Sequence, residues 1–181
     1  MVGALVAVPL AAMSVGARPR PPHVGAMALA ISSATYHNGA RMPYSTVYDR
    51  GGCRGPNVSP QLRWRESPRS VLSFALLMHD PDARAPGGWW HWVRFNIPGG
   101  IHQLRAGDPR TGTDGTNSFG QRAYGGPCPP PGSGIHHYHL VLYGLNVGRL
   151  SATPSTDGPA LLRMVHGHTV AAGNLVGTYS R

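Results

Sequence analysis

Three short stretches of this sequence bring together histidine, aspartate and aromatic side chains at spacings that could form one site. Asp80 and Asp82 stand in HDPDA at 79–83, Trp89 and His91 in WWHW at 89–92, and His136 and Tyr138 in the run HHYHLVLY at 136–143. The last run follows directly on the loop YGGPCPPPGSGI at 124–135, which contributes Cys128, Pro129 and Pro130. Imidazole N–H, phenolic O–H and backbone N–H groups are the donors that a small anion needs. His91 and His136 would each offer a ring N–H, Tyr138 a hydroxyl, and Cys128 and Gly132 their backbone N–H, whereas Pro129 and Pro130 cannot donate and would serve as walls. A carboxylate beside a bound anion repels it unless a histidine is charged or a proton is shared. Asp80 therefore reads as an orienter, accepting one imidazole N–H and leaving the other ring nitrogen toward the ligand.

Two other chemistries use the same residues. His137 and His139 form an i, i+2 pair beside His136, as in a metal-binding strand, but such a set wants a nearby carboxylate and Glu66, the only glutamate, lies far upstream. No metal or other cofactor is expected. Hydrolysis would use Cys128 or a serine as nucleophile with His136 or His91 as base, but no GxSxG elbow occurs, so a binding protein is expected in place of an enzyme. Cys53 and Cys128 occupy separate loops without the spacing of a disulfide framework and read as free thiols.

The elements that would position these groups follow from periodicity. Glycines and prolines make 124–135 a stiff loop, and the alternation after it puts His136, Tyr138, Leu140 and Leu142 on one strand face and His137, His139, Val141 and Tyr143 on the other. Val71–His79 is a nearly continuous apolar run that reads as a buried strand ending at Asp80. Trp89–Ile97 reads as a second, with Trp89, His91, Val93 and Phe95 on one face. Ala26–Ser33 is a first strand, Asn38-Gly39 a turn, and Gln61–Trp64 a short strand. The polar segment from Gly99 to Ala123 is a long loop placed to cover the site. Thr156 or Asp157 caps a helix with Pro159 in its first turn and Leu161, Leu162, Val165 and Thr169 on its apolar face, broken at Gly167 or ended at Gly173.

Composition agrees. With 25 glycines, 18 prolines and only 13% charged residues in 181, many short strands are favoured over a helical bundle, in one domain that is mainly β or α+β. The net charge of +9 arises from sixteen arginines and no lysine, which biases the surface toward anionic partners. The arginines are scattered singly, without a basic run or interleaved aromatics, which argues against nucleic acid. Residues 1–25 read as a signal peptide or disordered leader with a Pro-rich linker, too short and interrupted by Pro9 for a stable membrane span. Residues 26–181 would be the folded domain, exported if the leader is a signal and cytoplasmic otherwise.

Taken together, DPDA at 80–83, WWHWVRFNIP at 89–98 and YGGPCPPPGSGIHHY at 124–138 resemble the motifs of the phosphatidylethanolamine-binding protein family, in its bacterial Raf kinase inhibitor-like branch. NVSPQLRW at 57–64 and the end of the chain from Gly167 add smaller matches, so the resemblance runs from about Ala28 to Arg181. It implies two antiparallel sheets in a Greek-key sandwich with a peripheral C-terminal helix, and a small open pocket for phosphate-like or carboxylate anions. The pocket positions carry over to Asp80, Asp82, Trp89, His91, Cys128, Pro129, Pro130, His136 and Tyr138. The ligand would be a phospholipid headgroup, a phosphorylated metabolite or a phosphorylated partner, with a regulatory or inhibitory role, and bacterial relatives imply a homodimer. Two departures stand out. The segment ARAPGG between Asp82 and Trp89 lacks the pocket tyrosine of eukaryotic members, and Arg84 replaces the usual proline after DPDA.

Overall fold

The computed structural model describes residues 26–65 and 67–181; the expected leader at 1–25, and Glu66, lie outside the described residues. The elements in chain order are β1 (Met27–Ala28), β2 (Ala30–Ser32), β3 (Leu62–Arg65), β4 (Ser73–Asp80), β5 (Trp89–Pro98), β6 (Gln103–Leu104), β7 (Thr113–Asp114), β8 (His136–Leu145), α1 (Gly158–His166) and β9 (Thr169–Tyr179). Six strands make one sheet in the order β1-β9-β8-β4-β5-β7, and β2-β3-β6 make a second. Pairing is antiparallel throughout except that β1 runs parallel to β9. The expected mainly β architecture of two sheets with one C-terminal helix is therefore observed, with a parallel edge strand as its one exception to antiparallel pairing.

β4 explains the arrangement. It is the strand whose sequence is apolar without alternation, and such a strand needs cover on both faces. One face, with Phe74, Leu76 and Met78, packs with Leu140 and Leu142 of β8 and with Leu62, Trp64 and Leu104 of the small sheet. The other, with Ala75 and Leu77, packs with Val93 and Phe95 of β5 and with Leu161 and Val165 of α1. Every residue of β4 is consequently buried, including Asp80 at its end.

β5 departs from the expected alternation. Trp90 pairs with His79 and Trp92 with Met78, so His91 is an extra residue, and a second irregularity leaves Phe95 and Asn96 opposite Ala75, with Asn96 at φ 55°. A bulge shifts every later side chain relative to the earlier ones. The common face expected for Trp89, His91, Val93 and Phe95 is therefore split. Val93 and Phe95 meet the helix layer, while the His91 ring stands edge-on to Tyr138 of β8 at a centroid distance of 5.0 Å.

α1 begins where the cap and Pro159 placed it, with the Asp157 carboxylate accepting the Ala160 N–H at 2.8 Å. It ends at His166, at the first of the two glycines expected to interrupt it, because the chain turns at Gly167 and Thr169 opens β9. That strand spans eleven residues and pairs with β8 along its length. Long-range pairing thus overrides the helical spacing of Thr169. The long segment between β5 and β8 is pinned to β5 by Arg94. Its guanidinium is bidentate on the Asp114 carboxylate, both contacts at 2.7 Å, and donates to the Asp108 carbonyl at 2.9 Å.

Candidate functional site

The end of β4, the bulged start of β5 and the start of β8 converge at one end of the interior strands of the large sheet, and the Pro-rich loop closes the space between them. The result is a cavity of about 440 Å³. All nine residues singled out in the sequence, Asp80, Asp82, Trp89, His91, Cys128, Pro129, Pro130, His136 and Tyr138, line it, together with Arg84, Phe119, Pro131, Ser133 and others.

The loop is held by its docking on the segment 43–58. Gly126 N–H donates to Asn57 Oδ1 at 2.8 Å, Tyr48 N–H to the Pro127 carbonyl at 3.2 Å, and Tyr124 O–H to the Thr46 carbonyl at 3.1 Å. A Cβ at Gly126 would lie 1.9 Å from the Thr46 carbonyl oxygen, so only glycine admits this approach. The same docking corrects the expectation of free thiols. Cys53 and Cys128 form a disulfide, with their Cα atoms 6.0 Å apart. Their separation of 75 positions hides this proximity from any spacing rule, because it arises from the docking of one loop on the other.

The histidines behave differently from a pair of simple donors. His91 Nδ1–H donates to the Gly125 carbonyl at 2.7 Å and the Gly126 carbonyl at 3.1 Å. These acceptors fix the tautomer and leave Nε2 with a lone pair. Burial lowers the His91 pKa to about 4, against smaller raising effects from those carbonyls and Asp80. His91 therefore stays neutral between about pH 6 and 8, contrary to the N–H donor expected of it. His136 is also spent on the protein. Its Nδ1 lies 2.7 Å from Asp80 Oδ2 and its Nε2 lies 2.9 Å from Ser133 Oγ. Gly132, expected to turn its N–H to a ligand, donates to the Arg181 carbonyl at 3.0 Å.

Asp80 is the orienter that the sequence suggested, and its second oxygen accepts the N–H groups of Asp82 and Ala83 at 2.9 and 3.2 Å. Asp82 has a partner that the sequence did not suggest. Both the backbone N–H and the Nδ1 of His137 lie 2.8 Å from its Oδ2. Burial raises the Asp82 pKa, but the hydrogen bonds and charge of His137 outweigh it and hold the carboxyl below its usual range. The opposite-face assignment of His137 holds, since it is exposed while His136 and Tyr138 are buried. Even so, its ring reaches back around the strand end to the cavity wall. Among the described residues no three His, Cys, Asp or Glu side chains group to hold a metal ion.

Two buried donors in residues that line the cavity have no hydrogen-bond partner among the described residues: Trp89 Nε1–H and Tyr138 O–H. Burial, reinforced by the charges of Asp80 and Asp82, raises the Tyr138 pKa and keeps its hydroxyl protonated. Phe119 and Ser133 were missed in the sequence. Phe119 is presented by a turn in which its N–H donates to Asn117 Oδ1 at 3.0 Å, and its ring edges against Trp89 and His91 at 5.3 and 5.4 Å. Its one sequence signal is an aromatic residue inside a polar loop. Ser133 could have been found from its i, i+3 spacing to His136.

Comparison with known proteins agrees with this geometry. A family model described as phosphatidylethanolamine-binding protein matches residues 32–180. The UPF0098 protein YbcL of Escherichia coli is 32% identical over 162 residues, covering 85% of this chain and 88% of its own. Its crystal structure superposes with a TM-score of 0.81 over 84% of this chain and 98% of that one, at 30% identity. LppC of Mycobacterium tuberculosis, whose name marks it as a candidate lipoprotein, is 35% identical over 159 residues, covering 87% of this chain and 75% of its own.

Proposed function

The chain belongs to the phosphatidylethanolamine-binding protein family, and from that premise we propose that its cavity binds a small phosphomonoester-like anion, whether as a lipid headgroup or as a free phosphorylated molecule. The observation that carries this reading is the pair of unpartnered buried donors, Trp89 Nε1–H and Tyr138 O–H, in two residues that line the cavity. A buried donor left unmatched costs about 1–3 kcal/mol, which a ligand oxygen recovers. Asp80 and Asp82 are less repulsive than their number suggests, because His136 and backbone N–H groups occupy both oxygens of Asp80 and His137 occupies one of Asp82. Arg84, the departure from the family pattern, lines the same cavity and brings a full positive charge to it.

The neutral His91 refines the ligand class. With Nδ1–H committed to carbonyls, Nε2 can only accept, so the group it meets must carry a proton. A phosphomonoester monoanion has both acceptor oxygens and one O–H, and its second ionisation lies near pH 6. A carboxylate offers acceptors alone.

The test is calorimetric titration of phosphoethanolamine and of acetate. Affinity for phosphoethanolamine is expected to rise as pH falls from about 8 to about 6, because the ligand gains the proton that His91 accepts, while acetate shows no such rise. Tyr138→Phe is expected to weaken phosphoethanolamine binding about tenfold, the loss of one hydrogen bond of about 1.4 kcal/mol. Equal pH profiles for the two ligands, or an unchanged affinity in Tyr138→Phe, would overturn the reading. Export is part of the same proposal. It is supported by the disulfide, which persists in oxidising compartments, and by the name of the relative LppC. Among the described residues no helix is long and apolar enough to cross a membrane.

A further inference from the structure

Ser133 Oγ stands 2.9 Å from His136 Nε2, and His136 Nδ1 stands 2.7 Å from Asp80 Oδ2. The far oxygen of Asp80 is fixed by two backbone N–H groups. The His136 and Asp80 side chains are each 4% exposed, whereas Ser133 lies on the cavity wall. A hydroxyl on Nε2 of an imidazole whose Nδ1–H is held by a buried carboxylate is the order in which nucleophile, base and orienter act in acyl transfer. The one hydroxyl proton of Ser133 has a second acceptor, the Pro130 carbonyl at 2.8 Å. That carbonyl already receives the Ser133 backbone N–H at 3.1 Å, so it remains satisfied when the hydroxyl turns to His136.

We propose that Ser133, His136 and Asp80 form a nucleophile, base and orienter, and that the protein hydrolyses small carboxylic esters. The sequence lacks the usual elbow motif, and the serine stands instead on a glycine-flanked turn that leads into β8. Gly132 and Gly134 flank the serine at φ 73° and 91°, and a Cβ at either would meet nothing within 4 Å. Glycine is thus used there for conformation and not for space, and it sets Ser133 on a tight turn. Trp89, Phe119 and Pro129 give the cavity apolar surface for a short acyl chain. Cys128, the other nucleophile that the sequence offered, is consumed in its disulfide.

The chemistry balances without a co-reactant other than water. Ser133 Oγ attacks the ester carbonyl carbon as its proton passes to His136 Nε2, and the carbonyl π electrons move onto the carbonyl oxygen. Collapse of this tetrahedral adduct breaks the bond to the leaving alkoxide, which takes the proton from Nε2. Water then repeats the sequence on the acyl-serine, its proton going to Nε2 and on to Ser133 Oγ as the carboxylic acid departs. Asp80 keeps its electrons and holds the ring throughout.

The activity does not depend on the phosphomonoester reading, and a neutral ester tests it separately. A fluorophosphonate probe, followed by peptide mapping of the wild-type protein, is expected to place one adduct per chain on Ser133. Hydrolysis of p-nitrophenyl acetate is expected to fall at least about 50-fold in kcat/KM in Ser133→Ala, with an unchanged circular dichroism spectrum. The wild-type rate should also follow a single ionisation that the variant lacks, which separates a triad from adventitious hydrolysis by surface histidines. No adduct on Ser133, an adduct on another serine, or a Ser133→Ala rate within about twofold of wild type would overturn the proposal.

Discussion

Removing the Cys53–Cys128 bridge, by reduction or by the double substitution Cys53→Ala and Cys128→Ala, is expected to lower the unfolding free energy by about 4 kcal/mol. The bridge closes a loop of 75 residues, and cross-linking so long a segment restricts the unfolded chain far more than the folded one. The effect should be concentrated at the cavity. Without the covalent tie, the segment 43–58 and the Pro-rich loop are joined by the few hydrogen bonds at Asn57, Tyr48 and Tyr124. Urea denaturation with and without reductant measures the loss. Thiol titration of the denatured, unreduced protein should find no free thiol, and finding two would show that the bridge does not form.

The second large effect is acid destabilisation through His91. Its pKa is about 4 in the folded protein and near the ordinary histidine value of 6.5 when unfolded. Between these values the unfolded state binds the extra proton, so this contribution is fully present above about pH 6.5 and is lost progressively as pH falls toward 4. At 1.36 kcal/mol per pH unit, the full loss is about 3 kcal/mol. His91→Asn places an amide N–H where Nδ1–H donates to Gly125 and Gly126, and it has no proton to gain. The difference between the two proteins cancels the carboxylates that also lose stability in acid, among them Asp82 and Asp108, both depressed in the folded state. Wild type should lose about 3 kcal/mol more than His91→Asn between about pH 7 and pH 4. Parallel curves would show that His91 is not buried as a neutral ring.

The strands β8 and β5 mark where reading the sequence succeeds and fails. Face alternation in β8 is local, and it put His136 and Tyr138 together correctly because the ladder with β9 runs unbroken through them. In β5 the same rule failed. A bulge at His91 is created by pairing with β4, which lies outside the window that an alternation rule can see. The continuous apolar run of β4 was legible as a buried strand because cover on both faces leaves no room for a polar side. Partners that depend on docking were not legible. The disulfide, the hold of His137 on Asp82 and the place of Phe119 against Trp89 all join segments with no short-range relation.

β4 has a consequence for how the site fluctuates. A strand covered on both faces and paired on both edges releases its amide hydrogens to solvent only when the whole domain opens. Asp80 is therefore mounted on an element expected to exchange slowly, and His136 starts the strand paired beside it. The facing loop is held by the Cys53–Cys128 bridge, so breathing of the cavity is restrained at both walls until that bridge is reduced.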